Sequence, residues 1–498
     1  MTNELDGSPA GTCPLSWPEQ RRNLVVFALC TGMQYLAAPV LYVGITQASL
    51  CHKLGADART ANLPGTLFFA MTAMPALIAW LSPSGHVLKR NLSLCYAICA
   101  AMLAVVAGTL MLDGSDQLKL GVVILQGGVS GAVMPAAIAF LWEAVGRGSD
   151  DARRGFALSL AFGAGPLLAV LGSFGQSVLL GGNFFGWGFP GVAYPWNFVI
   201  LFGVGSPVMI LAAVISQLLI LPPAEHDARR ESLAQVVGLL VGIPMMFASV
   251  YLLYQAGALE TAGGSAGGEG GLAGWYRGAG YGAGALAAMG IIYHFRALLG
   301  QRTLLLATLV TILVYSGNMI PSNMNLYSAE VLGDAPEKYA GLQNTLRFGF
   351  KVLAGFGLGW MLTRTSPRAG LLATSTIFLV AQLWALFVTG KWYLVAFGIF
   401  GAGELIGVYS PNYIVSASRR SDLRQNMAFM TMMMVPAAPA GYLYGAIADA
   451  VKASSWTLGN LSPAALGFRL SFLTCAILIL SGIVLAVTTL PKHPRPPA

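Results

Sequence analysis

From Gly155 to Ala224 the chain contains no Asp, Glu, Lys or Arg, and apolar runs of similar character recur along most of its length. A bilayer core about 30 Å thick is crossed by about 20 apolar residues in helix. Within it each backbone group must find its partner inside the protein, which leaves the helix as the form for such runs. The charge-poor runs predict spans near 23–48, 63–82, 91–112, 119–142, 155–179, 196–221, 234–256, 276–296, 303–327, 340–362, 369–389, 392–415, 426–448 and 465–489. The long uncharged stretch must hold two of these helices and an uncharged turn from Gly181 to Pro195. Only 10% of the 498 residues are charged, against about 25% in an ordinary globular chain. That excludes a soluble enzyme, a nucleic-acid reader and a disordered scaffold. The fold class is all-α and polytopic, with fourteen transmembrane helices.

Charge sets the orientation. Of the 28 Lys and Arg, 18 fall in the breaks that share a side with the N-terminus, 7 fall opposite, and Arg347, Lys351 and Arg469 lie within spans. The positive-inside rule then puts both termini in the cytoplasm of a cell (inner or plasma) membrane. The six cysteines form no C-x-x-C, so neither a zinc site nor a disulfide framework is expected. No cofactor or metal is expected either. The N-terminal 20 residues lack the basic start and short apolar core of a cleaved signal.

The chain also repeats. Thr31 to Tyr42 reads TGMQYLAAPVLY and Ser316 to Tyr327 reads SGNMIPSNMNLY. Trp80 and Trp360 each precede a cationic turn, and Pro135 and Pro411 interrupt corresponding spans. The resulting layout is a tail over 1–22, a six-helix bundle over 23–221, a linker with two extra helices over 222–301, a second six-helix bundle over 302–490 and a tail over 491–498. In this layout the sequence resembles the fourteen-helix members of the major facilitator superfamily, such as peptide-proton symporters and drug-proton antiporters. That family's loop between helices 2 and 3 reads G-x-x-x-D-R-x-G-R-R. Here Gly85 and Arg90 match while Lys89 stands where the Asp would be, and the partner loop from Gly359 to Arg368 has Thr363 at that place. The antiporter signature survives only as Gly165-Pro166, and the E-x-x-E-R signature of peptide symporters is absent. The resemblance implies a transporter with a substrate site between the bundles and Lys89, Arg90, Arg364 and Arg368 in gating loops. It implies no enzyme.

Ionisable groups inside the bilayer cost at least about 2.5 kcal/mol on insertion scales and mark functional sites by default. Arg347 and Lys351 are four apart, on one helix face. Counted at 1.5 Å per residue from the outer ends, Lys351 lies about 16 Å deep, Glu404 about 18 Å and Arg347 about 10 Å. This depth predicts that Lys351 and Glu404 meet near the midplane, where such transporters hold substrate. Arg347 and Lys351 would bind an anionic group, and Glu404 would couple a proton, its ionisation set by burial and the neighbouring cation. A structural salt bridge is the competing reading. Gln34 and Tyr35 beside Pro39, and Asn318 and Asn325 beside Pro321, are the expected substrate contacts; the two Asn are seven apart and so face one way on a helix. Tyr42, Tyr409 and Asn412 are weaker candidates. Glu143 and Arg147 form an i,i+4 pair, Met430 and Met432 to Met434 pack, and the glycines from Gly263 to Gly274 form an outer linker.

The expected function is a secondary active transporter for a small organic solute, anionic or zwitterionic, driven by protons, with sodium as the alternative ion. Its partners are that substrate, the coupling ion and the lipid bilayer, with no nucleic acid; it is expected as a monomer. A membrane transferase acting on a lipid-linked substrate, or a transport-inactive sensor, are the alternatives.

Overall fold

The computed structural model describes residues 15–42, 44–75, 78, 87–149, 165–184, 187–221, 270–294, 296, 300–362, 364–417, 435–454 and 456–494, together with 237–238, 241–242, 244–246, 248–249, 251–253 and 255–256. The first half of the chain supplies α1 (Trp17–Leu36), α2 (Ala38–Leu41), α3 (Ile45–Lys53), α4 (Ala58–Ala70), α5 (Leu88–Met111), α6 (Asp116–Gly148), α7 (Gly165–Gln176) and α8 (Trp196–Ser216). Next comes α9 (Gly270–His294). The second half supplies α10 (Arg302–Tyr315), α11 (Pro321–Leu332), α12 (Glu337–Leu362), α13 (Pro367–Phe387), α14 (Val395–Gly403), α15 (Ile406–Ala417), α16 (Pro439–Ser454) and α17 (Pro463–Thr489). Seven helical stretches among the described residues are long and apolar enough to cross a membrane on their own. The protein is an all-α, multi-pass membrane protein.

The spans near 63–82, 155–179, 234–256 and 426–448 lie partly outside the described residues, as do Met430, Met432 to Met434 and most of the Gly263–Gly274 linker. The uncharged turn carries the one sheet among the described residues, a pair of two-residue strands, β1 (Asn183–Phe184) against β2 (Trp187–Gly188). The glycine-rich stretch expected near 276–296 is helical as far as His294. In α9, Gly280, Gly284 and Gly290 pack against Leu253, Ser249 and Gly242, and the Ser249 hydroxyl donates to the Gly280 carbonyl at 2.7 Å. Small residues let these two segments approach closely, which offsets their weak helix propensity.

Two predicted spans are broken rather than continuous, for a local reason. Pro39 and Pro321 cannot donate to the preceding turn. In the first span the chain leaves helix at Ala37 and again around Gly44, whose φ of 152° suits glycine. The carbonyls this frees cannot be left bare in lipid. The Thr46 hydroxyl donates to the Pro39 carbonyl, and Gln47 Nε2 (2.9 Å) and Gln126 Nε2 (3.1 Å) both donate to Val40. In the second half a 3-10 turn over Ser316–Met319 separates α10 from α11, and Tyr444 Oη donates to the Ser316 carbonyl at 3.3 Å.

The helices form two packed groups. In one, α1 packs on α6, α7 and α8, and α5 lies between α6 and α8; in the other, α12 packs on α14, and α17 on α10, α13 and α16. Outward faces are apolar and exposed, as with Leu353, Phe356 and Trp360 on α12, which is what lipid requires. Among the described residues the groups meet through α7 with α12, α4 with α16, and α3 with α11.

Candidate functional site

Arg347 and Lys351 lie one turn apart on α12. Glu404 sits in the break between α14 and α15, its N–H bonded to the Phe400 carbonyl at 3.0 Å. Glycine sets the approach of the two elements. A Cβ at Gly401 would stand 1.8 Å from the Arg347 carbonyl oxygen, and one at Gly398 2.8 Å from the Phe350 ring. With no side chain at either place, α14 lies directly on α12, and three residues past Gly401 the Glu404 carboxylate reaches the guanidinium.

Arg347 Nε donates to Glu404 Oε2 at 2.9 Å while Nη2 donates to Oε1, a two-pronged pair. Lys351 Nζ donates to the same Oε2 at 3.5 Å. The side chains of Arg347, Lys351 and Glu404 are 8%, 20% and 10% exposed. Arg347, expected to be shallower, is therefore the primary partner, and Lys351 the secondary one. The reason is the crossing point: Gly401 touches the backbone of Arg347, not that of Lys351. The guanidinium carbon lies 5.4 Å from the Phe348 ring centre and 5.5 Å from that of Phe400. Nη1 of Arg347 is buried without a hydrogen-bond partner. An unused donor on a buried cation is a ready anion contact.

A chain of rings leads from this cluster to the other helix group. Phe348 lies 6.4 Å from Tyr42, which lies 6.2 Å from Tyr35. Tyr35 packs against the start of α7, where a Cβ at Gly165 would be 2.4 Å from its ring; this is a structural use of Gly165-Pro166. Beyond these rings a small cleft is walled by Phe27, Gln34, Tyr35, Tyr42, Leu141 and Trp142, all of the first helix group. Gln34 Nε2 donates to Tyr96 Oη at 2.6 Å.

The other expected residues separate. Asn318 is half-buried with its Oδ1 unpartnered and its side chain bonded to Tyr315, which packs edge-on at 6.0 Å against Phe69 of the first group. Asn325 does not share its face, because the break at Pro321 interrupts the helix that the spacing assumed. It is fully buried, accepting from the Ser49 hydroxyl at 2.8 Å and donating to Gln343 Oε1 at 2.7 Å. Arg368 Nη1 donates to the Leu490 carbonyl at 2.6 Å, closing the C-terminal end of α17, and Arg364 stacks on Trp360 at 4.2 Å. Arg90 is exposed at the start of α5, where the Lys89 carbonyl accepts from Gln217 at 3.2 Å; Thr363 and Gly85 lie outside the described residues. Glu143 and Arg147 pair as expected. Tyr409 packs on Gly370, and Asn412 is half-buried on α15.

Sequence reasoning missed the contacts that join the groups. Asn62 Nδ2 donates to Asn323 Oδ1 at 2.6 Å, and Asn344 Nδ2 to Gln176 Oε1 at 2.9 Å. Lys53 pairs with Glu337 at 3.1 Å. The Asp449 carboxylate accepts from the backbone N–H of Ala58 (3.1 Å) and Arg59 (2.8 Å), at the first turn of α4, with Arg59 Nε 3.5 Å away. Gly441, Gly445 and Asp449 are spaced by four on α16; a Cβ at Gly445 would be 2.6 Å from the Ala58 carbonyl. That small-residue spacing and the acid at its end were the readable signal. These joins cluster toward the end that carries the loops at 54–57, 187–195, 333–336 and 456–462.

No protein-family profile matches the chain, and no curated protein matches it significantly. Solved structures do. A POT family peptide transporter in an auto-inhibited form superposes with a TM-score of 0.59 at 15% identity, covering 97% of this chain and 99% of that one. The POT family transporter PepTSo gives 0.58 at 14% identity, covering 95% and 99%. The nucleoside transporter NupG gives 0.58 at 10% identity, covering 93% and 99%. At these identities the likeness is one of fold, and over nearly its whole length the chain shares the fold of these POT family and NupG structures.

Proposed function

We propose that the protein is a secondary active transporter that moves a small organic anion or zwitterion by alternating access, coupled to protons through Glu404. The observation that carries this reading is the buried Arg347–Glu404–Lys351 cluster, set beside the junction of two helix groups that join through contacts toward one end. A buried pair of this kind stabilises little by itself, since desolvation offsets most of its attraction. It does supply a charge balance that a proton on Glu404 or an anion at Arg347 would upset. Protonation frees the guanidinium for substrate, and the released substrate lets the pair re-form. The transport work of POT family proteins and of NupG agrees with such use of this fold. With both termini in the cytoplasm, the joined end faces outward and the protein is closed to the outside, and the cation-rich loops lie within. The two helices between the groups, including α9, act as a connection, and the protein works as a monomer in the cell membrane.

The test is uptake of labelled carboxylates by purified protein in sealed vesicles with an inward proton gradient. Accumulation that an uncoupler abolishes is the expected result. Accumulation indifferent to the uncoupler and dependent on sodium would reassign the ion, and no flux of any solute would reassign the protein as a sensor.

A further inference from the structure

We infer that Gln176 is a positioning residue that ties the break in the first span to the seating of α12 against α7, so that opening between the two helix groups reaches the turn that holds Arg347. This rests on the reading of the protein as a transporter that alternates between two states, and adds the residues through which the groups sense each other.

The contact itself is close. A Cβ at Gly341 of α12 would stand 2.3 Å from the Ser177 backbone nitrogen, and one at Gly181 2.4 Å from the Lys338 carbonyl oxygen. Helices seated so tightly are either in place or apart, since packed interfaces do not deform continuously. Inside that contact runs a chain of hydrogen bonds. Asn344 Nδ2 of α12 donates to Gln176 Oε1 at 2.9 Å, Gln176 Nε2 donates to Thr46 Oγ1 at 2.9 Å, and the Thr46 hydroxyl donates to the Pro39 carbonyl. All three side chains are buried.

The direction of this chain is fixed from its far end. A hydroxyl has one proton, and Thr46 commits it to the Pro39 carbonyl. Toward Gln176 it can only accept, so the amide turns Nε2 to Thr46 and Oε1 to α12, and α12 must supply a donor. Asn344 does so. With α12 withdrawn, Oε1 loses its donor and nothing fixes which way the amide faces; Thr46 and the Pro39 carbonyl then lose their order with it. The same turn of α12 touches the break a second time. Phe348, four residues after Asn344 and so on the same face, lies 6.4 Å from the ring of Tyr42, the residue that closes α2, and 5.4 Å from the Arg347 guanidinium carbon. The break is therefore held from α12 at two points, Tyr42 directly and Thr46 through Gln176.

The test is a double-mutant cycle on Asn344 and Thr46, which Gln176 separates. Spin labels at Gln117 of α6 and Ala453 of α16, exposed positions away from the chain of bonds, report the ratio of open to closed molecules in purified protein. Asn344→Ala and Thr46→Val should each raise that ratio at least about threefold, the scale of one net hydrogen bond. Together they should raise it no further than the larger single effect, because either one interrupts the same chain. In a Gln176→Met background neither should add anything, and Thr46→Ser, which keeps the hydroxyl, should match the wild-type ratio. The cycle itself needs only the two single variants and their double, so it stands should Gln176→Met fail to fold. Effects of Asn344→Ala and Thr46→Val that multiply, or that persist in Gln176→Met, would overturn the inference, and so would an unchanged ratio in all of them while Asp449→Asn opens the joined end. A joined end that stays closed in every variant, Asp449→Asn included, would overturn the alternating reading as well.

Discussion

Asp449→Asn should loosen the contact between α4 and α16 and shift the protein toward the state open at that end. The carboxylate accepts two backbone N–H groups at the first turn of α4 and lies beside the Arg59 guanidinium. The amide keeps one acceptor oxygen, turns a donor toward the other N–H and removes the charge that favours a helix N-terminus. Hydrogen bonds to charged groups contribute roughly 1.5–3 kcal/mol and the helix-end charge about 0.3–1 kcal/mol. Asp449 is 18% and Arg59 33% exposed, so solvent reduces these figures, and about 1–2 kcal/mol is a fair net value. That corresponds to roughly a 5–30-fold change in the ratio of closed to open molecules. Spin labels at His52 of α3 and Ala453 of α16, both exposed, read this as a distance distribution with a growing long component. Asp57→Asn is the control, because Asp57 caps α4 by accepting from Thr60 N at 2.9 Å within its own helix group. The reasoning fails if Asp449→Asn leaves the distribution unchanged, or if Asp57→Asn changes it equally.

Three further perturbations have defined outcomes. Arg347→Gln leaves the buried Glu404 carboxylate with Lys351 alone and should cost part of the about 3–5 kcal/mol of a broken buried pair; Arg347→Gln/Lys351→Gln, which strands the carboxylate, should cost more in thermal unfolding, and a double variant as stable as the single one would deny the coupling. Gly401→Val drives a side chain into the Arg347 backbone, so a loss of about 1–3 kcal/mol or more is expected, with a lowered melting temperature as the readout and an unchanged one as the contrary result. In the loop before α12, hydrogen bonds from Lys338 and Tyr339 hold the Asp334 carboxyl below the usual range. A lowered native value makes its contribution present at neutral pH and lost as pH falls through that value; carboxyl NMR of labelled protein, compared with Asp334→Asn, should show titration below an ordinary Asp, and titration at the ordinary value would contradict the hydrogen bonding.

The membrane fold was legible because its cause is coarse: charge-poor runs of the right length, with cations gathered in alternate breaks. Helices such as α5, α8, α13 and α17 begin and end within a few residues of the expected bounds. The three buried ions were legible too, since a charge in an apolar run stands out. Their pairing was legible in part: Lys351 does meet Glu404 at 3.5 Å, but the closer Arg347 contact was not expected. Depth counting assumes straight, regular helices, and Gly401 set the crossing at Arg347, which made it the nearer partner. The same assumption misjudged Asn318 and Asn325, which the Pro321 break places on different elements. Asp449 was invisible as a contact because its partners are backbone N–H groups nearly four hundred residues away in the chain, and backbone donors leave no mark on composition.

The central claim is that Glu404 links proton movement to substrate movement, and its direct test is Glu404→Gln in sealed vesicles. The account predicts that this variant loses gradient-driven accumulation of the substrate yet still exchanges labelled for unlabelled solute across the membrane. Accumulation at the wild-type level in Glu404→Gln would contradict it.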